Sequence, residues 1–170
     1  MMIKQKIKWG LLLGLSISLG TQILTWLGLG LTNLFVLLTY LLVAVFIFHA
    51  LRKQRRSQQS ISLWEALITV LVLVIISRYV FQFFLFLYVN YFHPGWIAEV
   101  SKYWSELLAE KGTSQVLIDA QIKAFQDAYR PFNMFTIEII RYGFAQIVLG
   151  LLIALFFVFK KNKQTTPQSH

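Results

Sequence analysis

"WGLLLGLSISLGTQILTWLGLGLTNLFVLLTYLLVAVFIFHAL", Trp9 to Leu51, contains no Asp, Glu, Lys or Arg. A single α-helix needs only about 20 apolar residues to cross the hydrocarbon of a bilayer, so this uncharged run has room for two crossings. The break falls best at "GLGLTN", Gly28 to Asn33, where glycine and asparagine weaken a helix and favour a tight turn between antiparallel neighbours. Two hydrophobic helices in one uninterrupted stretch set the class of the whole chain: all-α and embedded in a membrane.

The rest of the composition agrees. Of 170 residues, 57% are hydrophobic and 14% charged, and the mean hydropathy is +0.63, well above that of a water-soluble domain. The net charge of +9 would suggest nucleic acid in a soluble protein. Here the basic residues lie in short clusters beside apolar runs and no nucleic-acid recognition module accompanies them, so they read as topology signals. No nucleic-acid partner is expected. The absence of cysteine excludes disulfides, thiolate metal sites, thiol nucleophiles and palmitoyl anchors.

Two further spans follow. One opens near Ser62, whose spacing to Glu65 is that of a capping box, and runs to about Phe92 before Pro94. The last extends from Phe135 to Phe159 and is closed by "KKNK". The expected spans are about 9–28, 33–51, 62–92 and 135–159, in one membrane domain with a disordered tail over 162–170. Lys4, Lys6 and Lys8, then Arg52, Lys53, Arg55 and Arg56, then Lys160, Lys161 and Lys163 form basic clusters free of acids that fall on one side of four spans. That side is expected to be cytoplasmic, with both termini inside, and a bacterial inner membrane is the expected location. A cleaved signal peptide over the first segment is the rival reading. The apolar run is longer than a signal core of 7 to 15 residues, and no small-x-small cleavage site follows.

The connection between the third and fourth spans mixes Lys102, Lys111, Lys123 and Arg130 with Glu99, Glu106, Glu110, Asp119 and Asp127, so it should lie outside. Trp96, Ile97, Val100, Tyr103, Trp104, Leu107 and Leu108 recur there at helical spacing. After Gly112, Ile118, Ile122, Phe125 and Tyr129 form a second stripe, and Pro131 blocks simple continuation into the last span. An extracytoplasmic amphipathic helical hairpin over 94–130 is expected, lying in the headgroup zone or capping the bundle.

The order of these features resembles a family of small four-span bacterial membrane proteins described only as a domain of unknown function. The resemblance rests on "KWGLLLGL" in the first span, "ISLWEAL" opening the third, "YVNYFHPGW" leaving it, "EKGTS" at the outer turn and "IEIIRYG" before the last span. It implies the four-span architecture and no activity. Members tend to carry a proline where this chain has Arg141, so a kink at that point is not carried over.

Arg78, Glu138 and Arg141 are the polar groups out of place. At about 1.5 Å per residue, Arg78 stands about 25 Å up from Ile61, while Arg141 and Glu138 stand about 29 and 33 Å up from Lys160, all in the outer leaflet. An arginine at the bilayer centre costs on the order of 2–3 kcal/mol on insertion scales, so a partner or water is expected. Three readings are open. Glu138 pairs with one or both arginines and fixes helix packing; the two arginines share one acid and hold an anionic headgroup or small anion; or Arg78 snorkels outward with no defined partner.

Glu65 is expected to cap its helix with Ser62, with a proton-binding carboxylate facing the bundle as the alternative. Gly10, Gly14 and Ser18, continued by Gln22, line one face of the first helix, where a neighbouring helix of the same chain or a second copy could approach closely. His49, His93 and His170 are scattered and cannot share a metal, so no metal or cofactor is expected. Nucleophile elbows, phosphate loops and dinucleotide fingerprints are absent. The expectation is a non-enzymatic membrane protein, an accessory or envelope-associated subunit, whose partners are the lipid bilayer, an anionic lipid, a second copy or another membrane subunit. The rivals are a small anion transporter or channel and a lipid-modifying protein.

Overall fold

The computed structural model describes residues 2–28, 33–58 and 61–159, apart from the side chains of Asn33 and Glu138. The residues described are helical or in short connections, and four helices are long and apolar enough to cross a membrane. These are α1 (Ile3–Trp26), α2 (Asn33–Gln58), α3 (Leu63–Leu87) and α7 (Ile137–Phe159). Most of the "GLGLTN" break, the "KKNK" cluster and the 162–170 tail lie outside the described residues.

The helices run past the apolar segments that define them. α1 already includes Lys4, Lys6 and Lys8, and α2 continues beyond Leu51 through the basic cluster to Gln58. Lysine, arginine and glutamine are good helix formers, so helical hydrogen bonding does not stop where hydrocarbon does. α3 passes into a π-helical turn, Tyr88–Phe92, closed by the His93 amide donating to the Tyr88 carbonyl at 2.8 Å, and Pro94 follows.

α4 (Trp96–Glu110) and α5 (Gln115–Ala128) form the antiparallel hairpin expected between the third and fourth spans. Gly112, at φ 74°, ends α4 in the left-handed conformation that glycine adopts without a Cβ penalty. The short helix α6 (Pro131–Phe135) begins on its proline, and Thr136 separates it from α7. The fourth crossing thus starts as a broken helix, where the sequence suggested one segment from Phe135.

Within the bundle, α3 packs against α1 on one side and α7 on the other, while α2 packs against α1, α7 and, less extensively, α3. Small residues permit the closest approaches. A Cβ on Gly10 would lie 2.9 Å from the Cβ of Ile76, and one on Gly14 would lie 2.6 Å from the Cβ of Val80 and 2.8 Å from the Ser77 carbonyl. Gly150 of α7 is wedged against Val70 and Ile47, 2.5 and 2.8 Å from where a Cβ would stand. The register rises together along α1 and α3, so these two are parallel. It falls along α7, from Gly143 beside Val74 to Gly150 beside Val70, so α7 is antiparallel to α3.

Leu13, Ile17, Val43, Ile47, Leu51, Val70, Leu73 and Val74 fill the centre, and Leu19, Leu37, Phe83, Phe144 and Leu152 stand exposed on the perimeter. An apolar perimeter of this extent fits acyl chains rather than water.

Candidate functional site

Arg78 occupies the sixteenth position of the 30-residue span Leu63–Phe92, about 22 Å from its start and so near its midpoint. Its side chain is 4% exposed. The Nε–H donates to Oε1 of Gln146 on α7 at 2.8 Å. Its guanidinium carbon stands 5.5 Å from the Tyr142 ring centroid and 6.0 Å from that of Phe81. A charge-assisted bond to an amide together with two ring faces compensates part of the desolvation of the cation.

The direction of that side chain corrects one expectation. Gly143 and Gly150 lie beside Val74 and Val70, which puts Gln146 level with the part of α3 before Arg78. Arg78 therefore runs back toward the N-terminal half of α3, as the Cβ direction of a helix favours, and into the bundle. It does not snorkel outward: the Gln146 amide inside the bundle supplies the acceptor that the interface would otherwise provide.

Arg141 is placed differently. It is exposed, and its guanidinium lies 5.6 Å from the centroid of the same Tyr142 ring. One aromatic ring, itself partly exposed, thus carries a buried and an exposed cation. Glu138 belongs to the first turn of α7, and its side chain lies outside the described residues.

Two glutamines complete the buried polar cluster, and neither was singled out from the sequence. Gln146 is fully buried, and Gln82, one turn beyond Arg78 on α3, is 3% exposed. Among the described residues, the oxygen Oε1 of Gln82 and the nitrogen Nε2 of Gln146 have no hydrogen-bond partner. The signal is present, in that both are amides inside apolar runs and Gln82 follows Arg78 at i+4, but a neutral amide carries no formal charge to mark it as out of place.

At the opposite end of α3, Ser62 and Glu65 form a reciprocal capping box. The Glu65 amide donates to Ser62 Oγ at 3.2 Å, and the Ser62 amide donates to Glu65 Oε2 at 3.1 Å. Nearby, Thr69 of α3 donates to buried Gln54 of α2 at 2.8 Å, and Arg55 donates to the Phe157 carbonyl at 3.4 Å in the last turns of α7. Of the small-residue stripe, Gly10 and Gly14 are covered by α3 of the same chain, whereas Ser18 donates to the Gly14 carbonyl within its own helix at 2.8 Å.

His93 links the end of α3 to the hairpin. His93 Nε2 and Glu99 Oε1 are 3.2 Å apart, and Tyr88 Oη lies 3.2 Å from His93 Nδ1. An ionised carboxylate can only accept, so Nε2 carries the proton, and in the neutral ring Nδ1 accepts from the tyrosine. Trp96 packs on Tyr88, Phe125 and Tyr129, and Gln126 donates to Ser101 at 3.3 Å across α4 and α5. Among the described residues, no three His, Cys, Asp or Glu side chains converge as metal ligands.

These features define a polytopic all-α membrane protein with a buried guanidinium–amide cluster. The chain belongs to the family described as protein of unknown function DUF4199, whose model matches residues 8–158. No curated protein and no solved structure matches it.

Proposed function

We propose that this chain is a non-enzymatic accessory subunit of a bacterial cytoplasmic membrane, with both termini inside and the α4–α5 hairpin outside. The observation that carries this reading is the use to which the bundle's buried polar groups are put. Arg78 with Gln146 and Gln54 with Thr69 tie α3 to α7 and to α2, so these groups serve helix packing. The acid-free basic clusters support the orientation.

Because the chain has no native cysteine, orientation is tested by single substitutions in intact cells. Ser114→Cys in the outer turn should react with a membrane-impermeant maleimide, and Ser57→Cys should react only after lysis. The reverse pattern overturns the topology. For the subunit role, native mass spectrometry of gently extracted protein should show a further polypeptide in fixed ratio, a second copy or another chain. A bare monomer counts against it.

A second reading is favoured by one observation, the sharing of the Tyr142 ring by Arg78 and Arg141. Two cations around one ring, one of them exposed to the perimeter, form a subsite for an anionic lipid headgroup or a small anion. In the same spectra, a discrete bound phospholipid or free anion that disappears from a folded variant lacking both arginines supports this reading, and a wild type carrying neither excludes it.

A further inference from the structure

We propose that ordered water occupies the middle of the bundle between Gln82 and Gln146, in spare volume beside Gly143. It does not require that the arginines beside Tyr142 bind an anion, and it rests on two buried atoms without a partner among the described residues and on one glycine.

The atoms come first. The Arg78 Nε–H fixes which way the Gln146 amide faces, since turning it over would oppose two donors. Its Nε2 is thereby held with a donor unused, in a side chain that is fully buried. Oε1 of Gln82 is an unused acceptor in a side chain that is 3% exposed. In hydrocarbon neither has an alternative partner, so an orphan at this depth is more costly than one near an aqueous surface.

The geometry brings the two toward one level. Side chains on a helix lean toward its N-terminus. Gln82 therefore leans back along α3 toward Arg78, and Gln146 leans along antiparallel α7 in the opposite direction, toward Gly143. Gly143 is buried, yet among the described residues a Cβ there would have one neighbour within 4 Å, the Val74 Cγ1 in ordinary contact at 3.9 Å, whereas Gly150 two turns away is packed to 2.5 Å. One glycine of α7 seats a neighbour and the other borders room.

The occupant follows from the chemistry. It must accept from an amide N–H and donate to an amide oxygen, which water does. An anion could satisfy the Gln146 donor but could not donate to the Gln82 oxygen as that amide is placed. Should the Gln82 amide be turned over, water would serve equally, because it accepts as readily as it donates. Buried water with two to four polar partners is an ordinary structural component, and its share of liquid volume is about 30 Å³, near that of the methyl group Gly143 lacks.

The test uses the full chain in lipid nanodiscs, isotope-labelled at glutamine, with water–protein cross-relaxation read at the Gln146 side-chain amide. Wild type should give a cross peak of the sign that marks long-lived water. Gly143→Ala should abolish it and lower the midpoint of thermal unfolding by a few degrees, because the methyl displaces water and strands both amides. A dry site predicts the opposite: no cross peak, and a raised midpoint as alanine fills a void and favours the helix. Gln82→Leu, which keeps the side-chain volume, should weaken the cross peak with the fold retained. No cross peak in wild type, or one unaffected by both substitutions, overturns the proposal.

Discussion

The bundle and the α4–α5 hairpin are built by the same helical rules and held together in different ways. In the bundle, glycines let α1 and α7 approach α3 until a single added carbon would collide, and polar bonds cross between helices at two depths. In the hairpin, Val100, Ser101 and Ile118 are the buried residues of α4 and α5, and the attachment to α3 runs through Tyr88, His93, Trp96 and Glu99. Lipid supplies no hydrophobic force between helices, so the bundle depends on close packing and internal hydrogen bonds. The hairpin's polar contacts each involve an exposed or half-buried side chain, so its stability rests more on Val100, Ile118 and the half-buried aromatics around Trp96.

That contrast is most severely tested at Gly14. Gly14→Val places branched carbon against the Val80 side chain and the Ser77 carbonyl. Overpacking of this kind should destabilise the bundle by about 3 kcal/mol or more, read as a large fall in thermal midpoint in detergent. Next comes Gln146→Leu, which leaves the Arg78 Nε–H buried without that acceptor. A loss of about 2–3 kcal/mol is expected, and the double variant Arg78→Met with Gln146→Leu should recover most of it, because it removes the stranded donor together with its acceptor.

Trp96→Ala should act on the other region alone. Amide exchange in α4 and α5 should accelerate by about tenfold or more, the effect of roughly 1.4 kcal/mol on a local opening equilibrium, while α1, α3 and α7 keep their protection. If this substitution lowers the bundle's midpoint as far as Gly14→Val, the two regions form one cooperative unit and the comparison breaks. The smallest effect is expected from Ser62→Ala, about 1 kcal/mol through loss of a helix cap, sensed at the start of α3.

Some elements were legible because their cause is local. The uncharged run from Trp9 to Leu51, the Ser62–Glu65 spacing, the stop at Gly112 and the two stripes of the hairpin each correspond to a described helix or cap. The candidate site was legible only in part. Arg78 is conspicuous as a charge in an apolar segment, but Gln82 and Gln146 are neutral amides with no charge to mark them, and the Gln146 acceptor for Arg78 is 68 residues away in the chain.

By itself, then, the sequence determined the all-α membrane class, the four helices long and apolar enough to cross, and a hairpin in the chain between the third and fourth, because hydrophobic length and helix-end signals act over one or two turns of chain. Tertiary structure alone decided that α3 packs between α1 and α7, that Arg78 turns inward to an amide, and that Tyr142 carries two cations. Those outcomes depend on which faces meet at an interhelical contact, and helices apolar on every side leave that choice to small residues and buried polar partners brought together from distant parts of the chain.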